Sequence, residues 1–229
     1  MKAIILCAGY GTRLYPLTKD TQKSLITVAG KPIIEHIILR IEEIKDMEEI
    51  IVVTNDRFYN DFLKWYQDYK PVMNIKIVND MTKSNEERLG AIGDIHFVVS
   101  KEDINDDVLI IAGDNLFDFS LNDLVSFFHR KKASVIALFD IKDSSKSAKK
   151  YGVVEIDNEH RIIDFHEKPE VPKTNLVSTA CYILSKEDIR ELELCLKTNE
   201  KLDNLGEFIK YLSNKKGVYG YVFSEKWFD

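Results

Sequence analysis

The chain has 229 residues, of which 45% are apolar and 31% charged, and its formal net charge at pH 7 is -6. A soluble chain of this length can bury one good hydrophobic core, and its negative charge offers no broad positive surface for a nucleic-acid backbone. No apolar run approaches the roughly 20 residues that a membrane-spanning helix needs. Composition therefore predicts neither a nucleic-acid nor a membrane partner.

The cysteines favour a reducing compartment. Cys7, Cys181 and Cys195 lie far apart without CxxC spacing, and any disulfide scheme would leave one of them unpaired. A strand-like apolar block begins directly after Lys2, so no targeting segment is recognised. These features predict a cytoplasmic protein.

Short blocks rich in isoleucine and valine recur through the first half, as is typical of strands buried on both faces. They occupy residues 3–7, 50–54, 75–78 and 108–112. Helical periodicity is found between them, from residue 33 onwards and over residues 56–69 and 86–99. The alternation predicts an α/β fold with a doubly wound, mostly parallel, Rossmann-like sheet, whose ligand crevice lies beyond the carboxyl ends of the strands.

The pattern changes after residue 142, where residues 143–147 form a polar break. A hairpin over residues 151–157 and 161–165, a strand over 176–184 and helices over 186–196 and 205–214 are then predicted. We interpret these elements as an inserted antiparallel layer on a shared core, so that residues 1–229 form a single domain with halves 1–142 and 143–229. The chain stops at Asp229 without a closing helix, which is compatible with a fragment or catalytic portion of a longer protein.

A glycine-containing loop with two nearby cations follows the first predicted strand. Two glycines allow close approach of the backbone to a ligand. The planar guanidinium group of Arg13 and the compact ammonium group of Lys23 can both bind phosphate oxygens. The loop is neither a Walker loop nor a dinucleotide fingerprint, because Leu14 stands where the latter needs its third glycine. A glycine turn with two surface cations is the alternative. The predicted phosphate-binding residues are Ala8, Gly9, Gly11, Thr12 and Arg13.

Four motifs in this region carry a family resemblance: GYGTRL at 9–14, PLT at 16–18, KSL at 23–25 and GKPI at 30–33. They resemble the signature of the nucleoside triphosphate-dependent sugar-1-phosphate nucleotidyltransferases, which include thymidylyl-, uridylyl- and guanylyltransferases, and the resemblance extends along essentially the whole chain. It implies that the glycine loop and Arg13 hold the triphosphate and that Lys23 contacts phosphates at the site of reaction. Residues 1–142 would then bind the nucleotide and residues 143–229 the sugar phosphate.

An aspartate follows the fourth buried block. Asp114 in the segment Gly113-Asp114-Asn115 lies where the crevice is expected, and a hard oxygen ligand beside a triphosphate suits Mg²⁺. Capping of the next turn is the alternative role. In the resembling family this segment carries a metal-binding aspartate and a tryptophan-containing segment, here residues 227–229, carries a second, so the resemblance implies Mg²⁺ on Asp114 and Asp229.

The second half contains a candidate acceptor site. Glu167 can accept hydrogen bonds from sugar hydroxyls, Lys168 can bind a phosphate, and Gly152 would expose backbone groups close to the sugar ring. A Glu-Lys pair before a proline could equally be a solvated strand end, and the resemblance favours the binding role. His166 is predicted to be structural rather than catalytic.

Asn85 and Gly90 occupy the place where many members of the resembling family have a glutamine five residues before a glycine. The resemblance implies that Asn85 reads the base edge and that Gly90 lets the base stack on the backbone. The shorter side chain of asparagine leaves the preferred base open. A helix N-cap, with residues 84–87 as a first turn, explains Asn85 equally well.

The implied reaction is attack by a sugar-1-phosphate oxygen on the α-phosphorus of a nucleoside triphosphate, with release of pyrophosphate. The nucleophile is already an anion, so no general base is needed, and Arg13, Lys23 and Asp114 are the predicted catalytic residues. A homo-oligomer is compatible with the sequence.

Two alternatives stay open at this stage: a non-catalytic regulatory subunit that binds nucleotide-sugars, and a cytidylyltransferase acting on phosphocholine or another phosphorylated alcohol. A glycosyltransferase is disfavoured because a nucleotide-sugar donor needs no cradle for a departing pyrophosphate. A NAD-dependent dehydrogenase would require the missing third glycine.

Overall fold

The computed structural model describes residues 1–198 and 204–228, and at Arg13 and Thr198 it describes the backbone alone. The chain divides into two compact units, Met1–Leu116 and Phe117–Asp229. This boundary lies earlier than the predicted change of pattern at residue 142, because a helix and a strand of the second unit precede the polar segment. The assignment of residues 1–229 to a single domain stays a prediction.

The first unit is built on four parallel strands. Its elements in chain order are β1 (Lys2–Cys7), β2 (Thr27–Val28), β3 (Lys31–Pro32), α1 (Ile33–Ile41), β4 (Glu49–Thr54), α2 (Tyr59–Asp68), β5 (Ile75–Asn79), α3 (Gly90–Lys101), β6 (Val108–Ala112) and the start of β7 (Leu116–Phe117). The strands are ordered β5, β4, β1, β6, and Ile4 lies beside both Ile51 and Ile110. These three isoleucines are fully buried, as expected for strands covered on both faces.

Helix α1 begins where the sequence predicts it, whereas α3 begins later. All five isoleucines of α1 are buried, which matches their helical spacing. Helix α3 begins at Gly90 rather than at Glu86, because the preceding residues form a turn in which Glu87 N donates to Ser84 O and the Glu87 carboxylate accepts from Lys83 N. The predicted helical start at Glu86 is therefore wrong.

The second unit is mostly antiparallel. It contains α4 (Leu121–Lys131), β8 (Val135–Asp140), β9 (Val153–Ile156), β10 (Ile162–His166), β11 (Leu176–Leu184), α5 (Lys186–Thr198), α6 (Leu205–Lys215), β12 (Tyr219–Phe223) and β13 (Trp227–Phe228). Its sheet has the order β10, β9, β11, β8, β12, and only the last pair in this order is parallel. The predicted hairpin corresponds to β9 and β10. A parallel sheet with helices followed by an antiparallel layer confirms the predicted fold class.

Helix α4 was missed by the sequence analysis, although it carries a recognisable start signal. Ser120 Oγ accepts a hydrogen bond from Asp123 N at 3.2 Å, which is a helix N-cap. The buried side chains of Leu121, Leu124 and Phe128 follow at helical spacing. Across the described ranges, no helix is both long enough and apolar enough to cross a membrane.

Candidate functional site

The loop after β1 is fastened to the first unit through its carbonyl oxygens. Because the C=O and the following N–H of a trans peptide point in opposite directions, the amides of Ala8, Gly9 and Thr12 are turned away from the side chains that bind these carbonyls. A concavity lined by such amides is a favourable environment for phosphate oxygens. The three hydrogen bonds run from Gln22 Nε2 to Cys7 O (2.9 Å), from Asn55 Nδ2 to Ala8 O (2.9 Å) and from Thr18 Oγ1 to Gly11 O (2.6 Å).

The two loop glycines have different structural roles. Gly11 has a φ of 62°, in the left-handed region, and a Cβ there would lie 3.0 Å from the Thr18 side chain. Gly9 is exposed, and within the described part of the chain no atom outside its immediate neighbours lies within 4 Å of where its Cβ would be. Space for a ligand is therefore left above Gly9. The side chain of Arg13 lies outside the described part of the structure.

Lys23 and Asp114 form an ion pair within the first unit. Lys23 opens a short 3-10 helix, Lys23–Leu25, and Asp114 lies in the turn after β6. Lys23 Nζ lies 2.8 Å from Asp114 Oδ2, and the two side chains are 26% and 30% exposed. The structure thus brings together two predicted catalytic residues. The Asp114 carboxylate binds the Lys23 side chain, so its role is not limited to capping a turn.

Gly113 is the residue that permits this close approach. A Cβ at this position would lie 2.3 Å from Cys7 Sγ and 2.6 Å from Ser24 Oγ, so a larger residue would displace the segment that carries Lys23. Burial raises the pKa of the Cys7 thiol to about 12, the Ser24 hydrogen bond opposes this rise, and the nearby charge of Asp114 adds to it. Cys7 is therefore a neutral thiol at physiological pH and an unsuitable nucleophile.

The donor chemistry around Asp114 fits Mg²⁺. This ion typically binds through one or two carboxylates and completes its shell with water and phosphate oxygens. Asp114 supplies a partly exposed carboxylate in the same unit as the amides of the glycine loop. The second predicted ligand, Asp229, lies outside the described residues.

A different group of metal-ligand side chains lies in the second unit. The donor atoms of Glu155, Asp164 and His166 are within 4.8 Å of one another. His166 Nε2 is 2.9 Å from Asp164 Oδ2, and the carboxylates of Asp164 and Glu155 also pair with Lys210 at 2.8 Å and Lys173 at 3.1 Å. These cations offset the two acidic charges, which is consistent with the structural role predicted for His166.

The region predicted to read the base is a turn before α3. Because α3 has its N-cap at Leu89, the N-cap explanation for Asn85 is wrong. The backbone oxygen of Asn85 instead accepts a hydrogen bond from Arg88 Nη1 at 2.9 Å. Gly90 has a φ of 74°, a left-handed backbone conformation that glycine adopts more readily than other residues. Contact of Asn85 and Gly90 with a base stays a prediction.

The predicted acceptor residues lie together in the second unit. Lys168 Nζ is 3.6 Å from Glu167 Oε1, and the two side chains are 46% and 36% exposed. Gly152 is buried, and a Cβ there would lie 2.5 Å from the Phe165 ring and 3.3 Å from Glu167 Oε2. Its carbonyl accepts a hydrogen bond from Ser178 N at 2.9 Å. Gly152 therefore has a packing role, and its contact with a sugar stays a prediction.

The sequence analysis missed the side chains that fasten the glycine loop. Asn55 follows β4 directly, just as Asp114 follows β6 after a single glycine, so a polar residue beyond a buried strand was the available signal. Gln22 immediately precedes Lys23, and its side chain accepts a hydrogen bond from Ser24 N as well as binding the loop. Both residues lie at the carboxyl ends of the parallel strands, where ligand-binding residues are expected.

Comparison with known proteins connects this geometry to a family. The chain is 31% identical over 229 residues to the bifunctional protein GlmU of Methanocaldococcus jannaschii, and the match covers 100% of this chain and 51% of that protein. It is 29% identical over 213 residues to the UTP--glucose-1-phosphate uridylyltransferase AglF of Haloferax volcanii, covering 93% of this chain and 83% of AglF. The chain spans about half the length of the first of these curated relatives and of several similar ones.

Solved structures share the fold. A UDP-glucose pyrophosphorylase complexed with UDP-glucose superposes with a TM-score of 0.82 at 21% identity, covering 100% of this chain and 92% of that one. A putative glucose-1-phosphate thymidylyltransferase from Bacillus anthracis gives a TM-score of 0.79 at 23% identity, with coverages of 100% and 89%. The family model described as "Nucleotidyl transferase" matches residues 2–229. The chain therefore belongs to the nucleotidyl transferase family.

Proposed function

We propose that this protein is a Mg²⁺-dependent nucleotidyltransferase that condenses a nucleoside triphosphate with a sugar-1-phosphate, giving a nucleotide-sugar and pyrophosphate. The observation that carries the proposal is the 2.8 Å pair of Lys23 and Asp114 in the unit that also holds the glycine loop. A cation and a metal-binding carboxylate are the two kinds of group that phosphoryl transfer requires. The similarity to AglF, a UTP--glucose-1-phosphate uridylyltransferase, supports the same kind of reaction.

The glycine loop would bind the triphosphate. The amides of Ala8, Gly9 and Thr12 point away from the side chains that fasten the loop, so they are oriented before any ligand arrives. Preorganised donors stabilise developing charge without reorganisation during the reaction. Arg13 and Lys23 would add positive charge to this electrostatic environment.

Asp114 and Asp229 are the residues that would hold Mg²⁺. When bound, the ion would neutralise charge on phosphate oxygens, which lowers the repulsion between two polyanionic substrates. Lys23 is already paired with Asp114, and this ion pair restricts the number of rotamers that the Lys23 side chain can adopt. Such restraint lets Lys23 meet the phosphates at a small entropic cost.

The acceptor would be bound by the second unit. Lys168 has a φ of 44°, and this left-handed conformation, unusual for lysine, indicates that the surrounding chain over-determines its position. Lys168 would hold the phosphate and Glu167 the sugar hydroxyls. The phosphate oxygen of the acceptor is already ionised, so alignment and charge neutralisation suffice without a general base.

The test is a pyrophosphate-release assay that crosses the common nucleoside triphosphates and dTTP with glucose-, mannose- and N-acetylglucosamine-1-phosphate, with phosphocholine as an additional acceptor. We expect Mg²⁺-dependent release that is greatest for one nucleotide and sugar phosphate pair. Release with CTP and phosphocholine alone would instead identify a cytidylyltransferase for a phosphorylated alcohol. Silence across every pair, with nucleotide binding intact, would overturn the proposal in favour of a regulatory subunit.

Replacement of Lys168 by alanine is expected to weaken acceptor binding selectively. Loss of one charge-assisted hydrogen bond should raise KM for the sugar phosphate by about 10- to 100-fold. KM for the nucleotide should change little, because Lys168 belongs to the predicted acceptor residues. Lys149→Ala is the matched control, since Lys149 is 68% exposed and pairs with the exposed Glu170. Equal effects of Lys168→Ala on both KM values would contradict the assignment.

We also infer a reducing, cytoplasmic location, because Cys7, Cys181 and Cys195 are buried thiols rather than disulfides. Homo-oligomer formation stays a prediction. Static light scattering of the purified chain would measure its molar mass directly.

A further inference from the structure

Two buried carboxyl groups in the first unit have no role in the mechanism described so far. Asp80 follows β5 and is 4% exposed, and Asp94 lies on α3 and is 6% exposed. Asp80 Oδ2 and Asp94 Oδ1 are buried and find no donor in the described part of the chain. The two carboxyl groups are close enough for a side-chain hydrogen bond between them, which requires a proton on one of them. A proton shared by the pair therefore satisfies both groups.

A directed chain of hydrogen bonds connects this pair to the glycine loop. Asp80 Oδ1 accepts from Thr82 N at 2.7 Å and from Thr82 Oγ1 at 2.8 Å. The hydroxyl hydrogen of Thr82 is thereby used, so in the 3.2 Å contact with Tyr10 it is the tyrosine O–H that donates to Thr82 Oγ1. Tyr10 is 4% exposed and lies between the two loop glycines, Gly9 and Gly11. The chain runs from Tyr10 through Thr82 and Asp80 to Asp94.

We propose that Asp80 and Asp94 are positioning residues, which hold the triphosphate-binding loop in its binding conformation through Thr82 and Tyr10. The inference rests on the function proposed above. Tyr10 is the one loop side chain buried between glycines, and glycine flanks allow the backbone to move when its anchor moves. Loss of the shared proton would place two like charges side by side in a buried site, and their separation would shift Thr82 and release Tyr10.

The pKa values of Asp80 and Asp94 are both raised above the ordinary range of aspartate. Burial raises the pKa of Asp94 to about 8, and the neighbouring charge of Asp80 adds to the rise. Burial also raises the pKa of Asp80, which the hydrogen bonds from Thr82 oppose. Protonated Asp94 would therefore predominate below this pH and its ionised form above it. Among the described residues, the charges of the pair and of Tyr10 also interact with Cys7, Asp56 and Glu87.

Neither Cys7 nor Tyr10 is expected to lose its proton near pH 8. Burial raises the pKa of Cys7 to about 12 and that of Tyr10 above its ordinary value near 10, so both stay protonated there. A transition in this range is therefore assigned to the Asp80 and Asp94 pair as a whole.

The test measures KM for the preferred nucleoside triphosphate from about pH 7 to about pH 9 at constant free Mg²⁺. Because the binding-competent fraction falls about tenfold over this interval for a group titrating near 8, KM is expected to rise about tenfold while kcat changes little. Asp94→Asn should abolish the rise, since its side-chain amide donates to Asp80 at every pH. Asp68→Asn, a change at an exposed aspartate on α2, is the matched control and should keep the rise.

Tyr10→Phe provides a second variant that leaves the carboxyl pair intact. It removes the hydroxyl that binds Thr82, so KM for the nucleotide should be raised at both pH values and should no longer depend on pH. A KM that rises equally in the unmodified protein, Asp94→Asn and Tyr10→Phe would overturn the proposal. An unmodified protein whose KM is constant over the interval would also overturn it.

A measurement on the ligand-free protein separates this inference from the proposed function. Amide hydrogen exchange of residues 8–14, corrected for the intrinsic pH dependence of exchange, should speed up above about pH 8 in the unmodified protein and not in Asp94→Asn. If no substrate pair yields pyrophosphate, the proposed reaction fails, and the loop exchange still decides whether the pair positions the loop. Identical exchange in both proteins would contradict the positioning role whatever the activity.

Discussion

Lys23→Ala is expected to lower kcat/KM for nucleotidyl transfer by about two to three orders of magnitude, because it removes a preorganised positive charge from the reacting phosphates. Lys23 Nζ lies 2.8 Å from Asp114 Oδ2, so the change also leaves that carboxylate without this cation. The ion pair is partly exposed, and its loss should change the free energy of unfolding by only about 1 kcal/mol or less. Pyrophosphate release and thermal unfolding of the same preparation measure the two effects.

The matched control for this change is Lys45→Ala, which removes an exposed lysine of the same unit. It should leave kcat/KM within about twofold of the unmodified protein, since exposed substitutions away from a site have small effects. A correctly folded Lys23→Ala protein with full turnover would refute the catalytic role of Lys23. Lys23→Arg is informative as well, because a planar fork replaces the point charge and should restore activity only in part.

Asp114→Asn is expected to have an effect of similar size through the metal. The amide keeps the volume of the side chain and still offers an oxygen to Lys23, but it lacks the negative charge that attracts a hard cation. Turnover at saturating nucleotide should fall by about two to three orders of magnitude. The Mg²⁺ concentration that gives half-maximal activity should increase at the same time, which titration with Mg²⁺ would measure.

Asp46→Asn is the control for this second variant, because Asp46 is an exposed aspartate of the same unit. It should preserve both turnover and the Mg²⁺ requirement. An Asp114→Asn protein whose Mg²⁺ requirement matches that of the control would rule out Asp114 as a metal ligand. Reduced turnover with an unchanged requirement would instead assign Asp114 the single task of holding Lys23.

Several elements were predictable because their signals are local. The four parallel strands of the first unit are continuous apolar blocks, and the isoleucine spacing of α1 marks its buried face. The start of α3 was misplaced because the acidic residues Glu86 and Glu87 resemble a first helical turn. In the structure Glu87 closes a turn onto Lys83 instead. Local composition could not distinguish these two uses of the same side chains.

The candidate site also contains both residues that the sequence predicts and residues that it does not. The glycine loop, Lys23 and Asp114 are recognisable as motifs, since close backbone approach, a cation and a carboxylate are each a property of a residue type. Asn55 was signalled only by its position after a buried strand, and nothing in the neighbours of Gln22 and Thr18 along the chain shows that they bind loop carbonyls. Their role follows from where the parallel strands end.

Residue types and their spacing were thus enough to predict the α/β class, the phosphate-binding loop and the kind of chemistry. Only the tertiary structure brings Lys23 to within 2.8 Å of Asp114, 91 positions further along the chain. It alone also buries Asp80 and Asp94 close to each other, which raises the pKa of both carboxyl groups. The physical reason is that a charge or a pKa depends on its surroundings, and folding supplies those surroundings from distant parts of the chain.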